Sequence, residues 1–302
     1  MNDATYRQKL AQEAELWGNV AEQQAAEIPP DWRYHRALRQ NVIMHTAAID
    51  ALLSRVQPGM NVLELGCGPG WLTLAMAQRG ADALGLDISE KSIDVARSYY
   101  ESIKPEVGGS VAYQVADLNT VDLPAEFYDV VAAKGVLHHL VNLDQVIDRV
   151  YATLKPGGLF WVTDTNGGEA LPTVLVASAL TFLLPTQAAY RDKVRGLLRF
   201  GLRAPGRVKA SIQADGLSPF EGAGREHDWM KRIGERFVIE RRIDHPAFTG
   251  YVTAQVTLPD SLAIPLLKAM YRIDKLLVRL KILRNTGVVL YAVKRARAQA
   301  EK

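Results

Sequence analysis

Hydrophobic and polar positions change period several times along this chain, and the changes mark its elements. Short apolar runs near 60–65, 82–87, 110–116, 127–133 and 157–163 read as strands. The stretches near 70–79, 89–104 and 142–153 repeat their apolar residues every three or four positions and read as helices. Strand and helix in alternation give a parallel sheet covered on both faces. After Asp164 the alternation fails, and strands return only at Phe237–Ile243 and Val288–Val293, which completes seven. The predicted fold class is α/β, with helices ahead of the sheet and helical insertions after the fifth and sixth strands.

Ahead of the first strand, residues 4–26 are rich in Ala, Gln and Glu and predict a surface helix, interrupted near Ile28-Pro29-Pro30. A second helix is predicted from about Tyr34 to Arg55, ending before Pro58-Gly59. Its neighbours Trp17, Trp32 and Tyr34 are either packing residues or contacts that close over a cleft. The expected units are a helical lid at 1–56, the core at 57–165, a helical cap at 166–230, and a C-terminal completion of the sheet at 231–302.

The two insertions differ from the core in pattern. Ala170 to Tyr190 carries no charge for 21 residues. Pro172 and Pro185 break it, and a helix between them would cover about 20 Å of a hydrocarbon layer of roughly 30 Å. Arg191, Arg195, Arg199 and Arg203 follow at four-residue spacing. In Ser261–Arg284, Lys268, Arg272, Lys275 and Arg279 share one helical face beside a wide leucine-rich arc. Such a helix suits an anionic membrane surface or lipid substrate, packing within the protein, or a subunit contact.

Composition narrows the setting. With 48% apolar residues, 302 residues suffice for one large or two small packed domains. The single cysteine, Cys67, allows no disulfide framework and suits a reducing compartment, either filling a tight turn or serving as a thiol. Met1-Asn2-Asp3-Ala4 has an acid and no apolar run, so no secretory signal is expected. The net charge of +3 conceals a split. Residues 1–190 hold 13 Lys+Arg against 22 Asp+Glu, whereas residues 191–302 hold 23 against 11, so the C-terminal part is suited to an anionic partner. A cytoplasmic location is expected, peripheral at the inner membrane face if the basic helices meet lipid.

Chemistry concentrates where the strands end. The first strand runs into Glu64-Leu65-Gly66-Cys67-Gly68-Pro69-Gly70, a glycine turn that feeds a helix N-terminus and so favours a close, negatively charged ligand group. Trp71 stands where a Gly-x-Gly-x-x-Gly dinucleotide fingerprint needs its third glycine. Asp87 ends the second strand, where its carboxylate either accepts from a ribose diol or caps the following helix. Then come Ala116-Asp117-Leu118, Tyr128-Asp129-Val130-Val131 running into Val136-Leu137-His138-His139, and Leu154-Lys155-Pro156-Gly157-Gly158. In order and spacing these five landmarks resemble the small-molecule type of class I, Rossmann-like, S-adenosylmethionine-dependent methyltransferases, over roughly residues 55–165.

That resemblance implies S-adenosylmethionine as cofactor and residue roles to match. Glu64, Gly66, Cys67, Gly68, Gly70 and Trp71 would approach its methionine part, and Asp87 its ribose. Ile88 would lie on the adenine face, and Ala116, Asp117 and Leu118 beside the adenine, with Asp117 at its amino group. Lys134 stands where the family's backbone carbonyl meets the ligand amine.

Methyl transfer from a sulfonium is an in-line displacement, so the protein aligns the partners and, for a hydroxyl acceptor, removes a proton. His138 and His139 are the first candidates for that base, the alternative being that they orient the loop. His227, between carboxylates in Arg225-Glu226-His227-Asp228, is the next, its alternative a solvated cluster capping a helix. Asp164 would assist a base or bind an acceptor hydroxyl, while His45 and His245 have no suggestive neighbours. No set of residues has metal-ligand spacing.

The expected function is methylation, at oxygen before nitrogen or carbon, of a small-molecule, glycan or lipid-linked acceptor. The alternatives are a cofactor-binding regulatory or scaffold protein without turnover and, less favoured, a nucleic-acid methyltransferase. Against the latter, the arginine stripes lie among aliphatics with few stacking aromatics, and no Asn/Asp-Pro-Pro-aromatic motif follows the fourth strand.

Overall fold

The computed structural model describes residues 3–27, 39, 41–103, 108–165, 170–200, 218–220, 228–253 and 255–295. Helix α1 (Asp3–Glu27) precedes a π-helical turn (Asn41–His45) that runs directly into α2 (Thr46–Leu53). The core follows as β1 (Asn61–Leu65), α3 (Trp71–Ala77), β2 (Asp82–Asp87), α4 (Glu90–Ile103), β3 (Ser110–Val115), β4 (Tyr128–Lys134), α5 (Leu143–Thr153) and β5 (Leu154–Thr165). Beyond it lie α6 (Leu171–Leu183), α7 (Tyr190–Phe200), α8 (Trp229–Arg236), β6 (Val238–Asp244), α9 (Thr249–Thr253), α10 (Asp260–Arg279) and β7 (Gly287–Val293).

The seven strands form one sheet in the order β3-β2-β1-β4-β5-β7-β6. The first five are parallel, and β7 runs antiparallel to both β5 and β6. Strand order reverses between β1 and β4, so the carboxyl ends of β1, β2 and β4 open onto the crevice that parallel α/β sheets use for ligands.

Alternate residues of the strands feed two cores. One face, with Leu63, Val131, Phe160 and Leu290, packs under α5 and α8 through Val146, Ile147, Val150 and Ile233. The other, with Val62, Val130, Trp161 and Tyr291, packs under α2 and α3 through Ile49, Leu52 and Met76. Because the period is two, this second face continues on β1 to Glu64 and on β4 through Ala132 to Lys134, which brings both charged groups to one side at the strand ends.

The insertions build a third core of their own. Ile43 of the π turn, Ala177 of α6, Val252 of α9, and Ala263, Leu267 and Met270 of α10 pack together. Two buried charged residues fasten this lobe. Arg39 donates to Asp260 (2.7 Å) and to the carbonyls of Val256 and Leu258, tying the N-terminal segment to the start of α10. Asp274, with no exposed surface, accepts the backbone N–H groups of Ala247, Phe248 and Thr249 and the Thr249 hydroxyl, each at 2.8 Å.

The predicted cationic stripe of α10 is interrupted. Lys268, Arg272 and Arg279 face solvent, but Lys275 is half-buried and donates to the Asp244 carbonyl, so it belongs to the lobe's internal bonding. Among the described residues no helix is long and apolar enough to cross a membrane.

Candidate functional site

The crevice holds a cavity of about 270 Å³. Its floor comes from Glu64, Gly66, Cys67 and Gly68 after β1 and from Asp87 and Lys134 at the ends of β2 and β4; Glu13 and Trp17 of α1 wall it, with Trp71 and His139.

The loop glycines face different things. At Gly70 (φ +82°) a Cβ would stand 2.6 Å from the Tyr113 ring, whose hydroxyl donates to the Gly70 carbonyl. At Gly66 the same atom would meet Val136. At Gly68 (φ +51°) it would meet nothing within 4 Å. Gly66 and Gly70 therefore let the loop pack against the protein, whereas Gly68 presents bare backbone to the cavity. Cys67 is buried, its thiol pushed up by burial, which fits a turn-filling residue.

Both strand-end acids are bonded within the fold. Glu64 accepts the Thr73 N–H at 2.7 Å and the Thr73 hydroxyl, which ties β1 to the first turn of α3. Burial pushes its carboxyl up to about 8, outweighing the lowering effect of those hydrogen bonds. Asp87 accepts the Gly68 N–H (2.8 Å) on one oxygen and the Ser89 N–H (2.9 Å) on the other. Cap and ligand roles are therefore compatible, since each carboxylate oxygen keeps a lone pair.

Asp117 lies at the turn after β3. One oxygen accepts from the Asn119 backbone and side chain, and the other accepts the Tyr6 hydroxyl of α1 at 2.7 Å. Ala116 and Ile88 flank this region half-buried, whereas Leu118 is buried in the α5-side core and packs there. Lys134 lines the cavity with Glu64 and Asp164 as its nearest compensating charges; burial lowers its pKa. Among the described residues its ammonium has no hydrogen-bond partner.

The two adjacent histidines are separated by function of place. His138 is buried, its Nδ1 2.6 Å from Asp164 Oδ1, and Asp164 also accepts the backbone N–H groups of Leu137 and Thr165. That pair binds the β4–α5 connection to the end of β5. His139 lines the cavity instead, with its Nδ1 3.1 Å from Glu13 Oε1 and 3.0 Å from Ser218 Oγ. The Trp17 indole donates to Glu13 at 2.8 Å and stands edge-on to the His139 ring.

His227 lies outside the described residues, as do Trp32, Tyr34 and Arg203. Its neighbour Asp228 caps α8 by accepting the Lys231 N–H. His45 and His245, which show no neighbours in sequence, face one another with ring centroids 5.1 Å apart, and His245 Nε2 lies 3.0 Å from the Thr163 hydroxyl. Burial lowers the pKa of both, so this pair is neutral. The sequence offers no sign of Glu13, Ser218 or Tyr6, because each reaches the site from a distant, locally unremarkable segment. Among the described residues no group of three or more His, Cys, Asp or Glu could hold a metal ion.

Comparison with known proteins agrees with this geometry. Residues 63–162 match the family described as a methyltransferase domain. The ubiquinone biosynthesis O-methyltransferase of Bordetella avium (strain 197N) is 31% identical over 179 residues, 58% of this chain and 69% of that protein. The mitochondrial ubiquinone biosynthesis O-methyltransferase of Mus musculus is 36% identical over 173 residues, 55% of this chain. The match spans less than half of the mouse and rat relatives, 43% and 46% of their lengths. Among solved structures, a geranyl diphosphate methyltransferase in complex with SAM shares the fold, with a TM-score of 0.50 and 15% identity over 90% of this chain and 94% of that one. With these matches, the sheet order and the glycine loop in agreement, the chain belongs to the class I S-adenosylmethionine-dependent methyltransferases.

Proposed function

We propose that this chain methylates an oxygen atom of a small-molecule, glycan or lipid-linked acceptor, with S-adenosylmethionine as donor. The observation that carries the reading is His139, an imidazole on the wall of the cavity that also holds the glycine loop, Glu64 and Asp87. Relatives named as O-methyltransferases support oxygen as the acceptor atom.

The residues present fit the donor. The space above Gly68 is a cradle that any Cβ would fill. Asp87 has lone pairs left for a ribose diol, and Asp117 has an oxygen for the adenine amino group, which shares it with Tyr6 or replaces that hydroxyl. Ile88 and Ala116, half-buried and each next in sequence to one of these acids, would flank the adenine. Glu64 and Lys134 offer opposite charges to the ammonium and carboxylate of the methionine part, with Cys67 and Trp71 as the wall.

When bound, the donor supplies a methyl group already activated on cationic sulfur. The chain's own contribution is alignment and proton removal, worth on the order of 100-fold or more for a well-placed base. His139 takes the proton; His138, clasped by Asp164, holds the loop that carries it.

The test uses S-adenosylmethionine with a tritiated methyl group and phenolic probes such as 3,4-dihydroxybenzoate. Label in the O-methyl product, lost on the order of 100-fold in His139→Gln with S-adenosylhomocysteine affinity unchanged, supports the reading. Cofactor binding with no transfer to phenols or to a cell extract favours the scaffold alternative.

A second feature concerns where the acceptor is met. On α10, Leu262, Ile273 and Leu276, with Leu280 just after its end, are exposed beside Lys268, Arg272 and Arg279, and Leu171, Leu183 and Leu198 are exposed on α6 and α7. Exposed leucines flanked by cations suit an anionic lipid surface, and a lipid-linked acceptor would be presented there. Vesicles of phosphatidylcholine and phosphatidylglycerol should pellet the protein at moderate salt. Absence of binding removes the membrane part and leaves the methylation reading standing.

A further inference from the structure

His139 does not stand alone at the cavity wall, and the groups that meet its Nδ1 fix where the proton on that atom belongs. Glu13 is nearly buried, with its side chain 6% exposed, and three donors converge on it: the Trp17 indole, the Ser218 hydroxyl and His139. Ser218 has a single hydroxyl proton, which it donates to Glu13 Oε2. A carboxylate contributes none. The proton between Glu13 Oε1 and His139 Nδ1, 3.1 Å apart, therefore belongs to the imidazole, and Ser218 Oγ at 3.0 Å can share it. A neutral ring protonated on Nδ1 carries its lone pair on Nε2. Burial raises the Glu13 carboxyl, but the hydrogen bonds from His139, Ser218 and Trp17 outweigh burial and hold it below the ordinary glutamate value, so Glu13 is an anion at neutral pH.

We propose that Glu13 is the positioning residue of the base: it fixes His139 in the Nδ1-protonated tautomer and stabilises the imidazolium formed when Nε2 accepts the acceptor's proton. This rests on the O-methylation reading given above. The balance is complete without a further reactant. His139 Nε2 gains the hydroxyl proton, the acceptor oxygen's electron pair forms the bond to the methyl carbon, and the carbon–sulfur pair leaves with the sulfide.

Glu13 sits on the helix that also lends Trp17, Val20 and Ala21 to the cavity, and the Tyr6 hydroxyl fastens the same helix to Asp117. One helix therefore both walls the cavity and orients the base.

Two measurements on the full chain test this. In the first, long-range proton–nitrogen NMR reads the His139 tautomer with S-adenosylhomocysteine bound. The wild type should show Nδ1 protonated, and Glu13→Gln, whose amide can donate to the ring, should shift the signal toward the other tautomer. Homocysteine-product affinity within about threefold of wild type verifies that the variant is folded, and Ser218→Ala should leave the wild-type tautomer in place. An unchanged tautomer in Glu13→Gln overturns the proposal.

In the second, tritiated methyl transfer to 3,4-dihydroxybenzoate is compared in Glu13→Gln, His139→Gln and the double variant. Glu13→Gln should lower kcat on the order of 30-fold with little change in KM, and the double variant should be no slower than His139→Gln alone. Losses that multiply would mean that Glu13 does not act through His139, and would overturn it. If the wild type methylates no phenol, the O-methylation reading fails, while the NMR result still decides whether Glu13 sets the imidazole.

Discussion

Glu64 makes cofactor binding a proton-coupled event whose size follows from its burial. In the ligand-free protein the Glu64 carboxyl is pushed up to about 8. At pH 7 about nine in ten molecules therefore carry that proton, and removing it costs about 1.4 kcal/mol. A ligand ammonium beside the group favours the carboxylate, so binding expels the proton. The direction is fixed by the raised value: the free protein holds a proton that the complex does not, so affinity rises with pH until about 8 and levels off above it. Calorimetric titration with S-adenosylhomocysteine in buffers of different ionisation enthalpy should report release of about 0.9 proton at pH 7, and affinity should gain nearly tenfold from pH 6 to 7. 5′-Methylthioadenosine lacks the ammonium and should release none, and Glu64→Gln should abolish the release. A buffer-independent heat with S-adenosylhomocysteine, or equal release with both ligands, would refute the reasoning.

Other outcomes follow from single residues. Asp87→Ala should weaken S-adenosylhomocysteine binding by roughly 1.5–3 kcal/mol, through loss of a charge-assisted acceptor, as read by the same titration. Gly68→Ala should lower affinity at least tenfold while thermal unfolding shifts little, because the added methyl occupies the cradle and αL strain costs only about 1 kcal/mol. Asp274→Ala should destabilise the chain by about 3 kcal/mol or more in urea titration, since three buried backbone donors lose their acceptor. Glu64→Gln should raise the Tm of the ligand-free protein more at pH 9 than at pH 5. The stability that protonated Glu64 contributes is intact below its ordinary value near 4.5 and is lost as pH rises through about 8.

The strands were legible because each is a short apolar run closed by turn residues, and β2 matches its expected 82–87 span to the residue. β5 begins earlier than its apolar run, at Leu154, because Leu154 already pairs with Tyr128 of β4; Lys155-Pro156-Gly157-Gly158, which reads as a turn, bulges out of the ladder with Gly157 at φ +82°, and pairing resumes at Leu159. The stretch 41–45 has ordinary helical periodicity, so its π geometry gives no sequence signal. Lys275 keeps the spacing of its neighbours in α10, and its bond to the Asp244 carbonyl at the end of β6 is a tertiary contact that the spacing does not show.

The strand-end residues of the cavity were legible because topology, rather than contact, places them. Any acid that ends a parallel strand near the reversal in strand order faces the crevice, as Glu64 and Asp87 do. Glu13 is one acid in a helix of several, and Ser218 is one hydroxyl with no motif around it in the sequence. Their convergence on His139 is tertiary and has no local pattern. The choice between His138 and His139 likewise depends on the Asp164 side chain, which takes one ring into the interior and leaves the other on the cavity wall.

The most direct measurement is a crystal structure of the chain grown with S-adenosylhomocysteine. The nucleoside should lie across the ends of β1 and β2, its ribose diol within hydrogen-bonding distance of Asp87, its backbone contact at Gly68 and its sulfur on the side of His139. Density for the ligand elsewhere, or a ribose that makes no contact with Asp87, would contradict the site on which every assignment above depends.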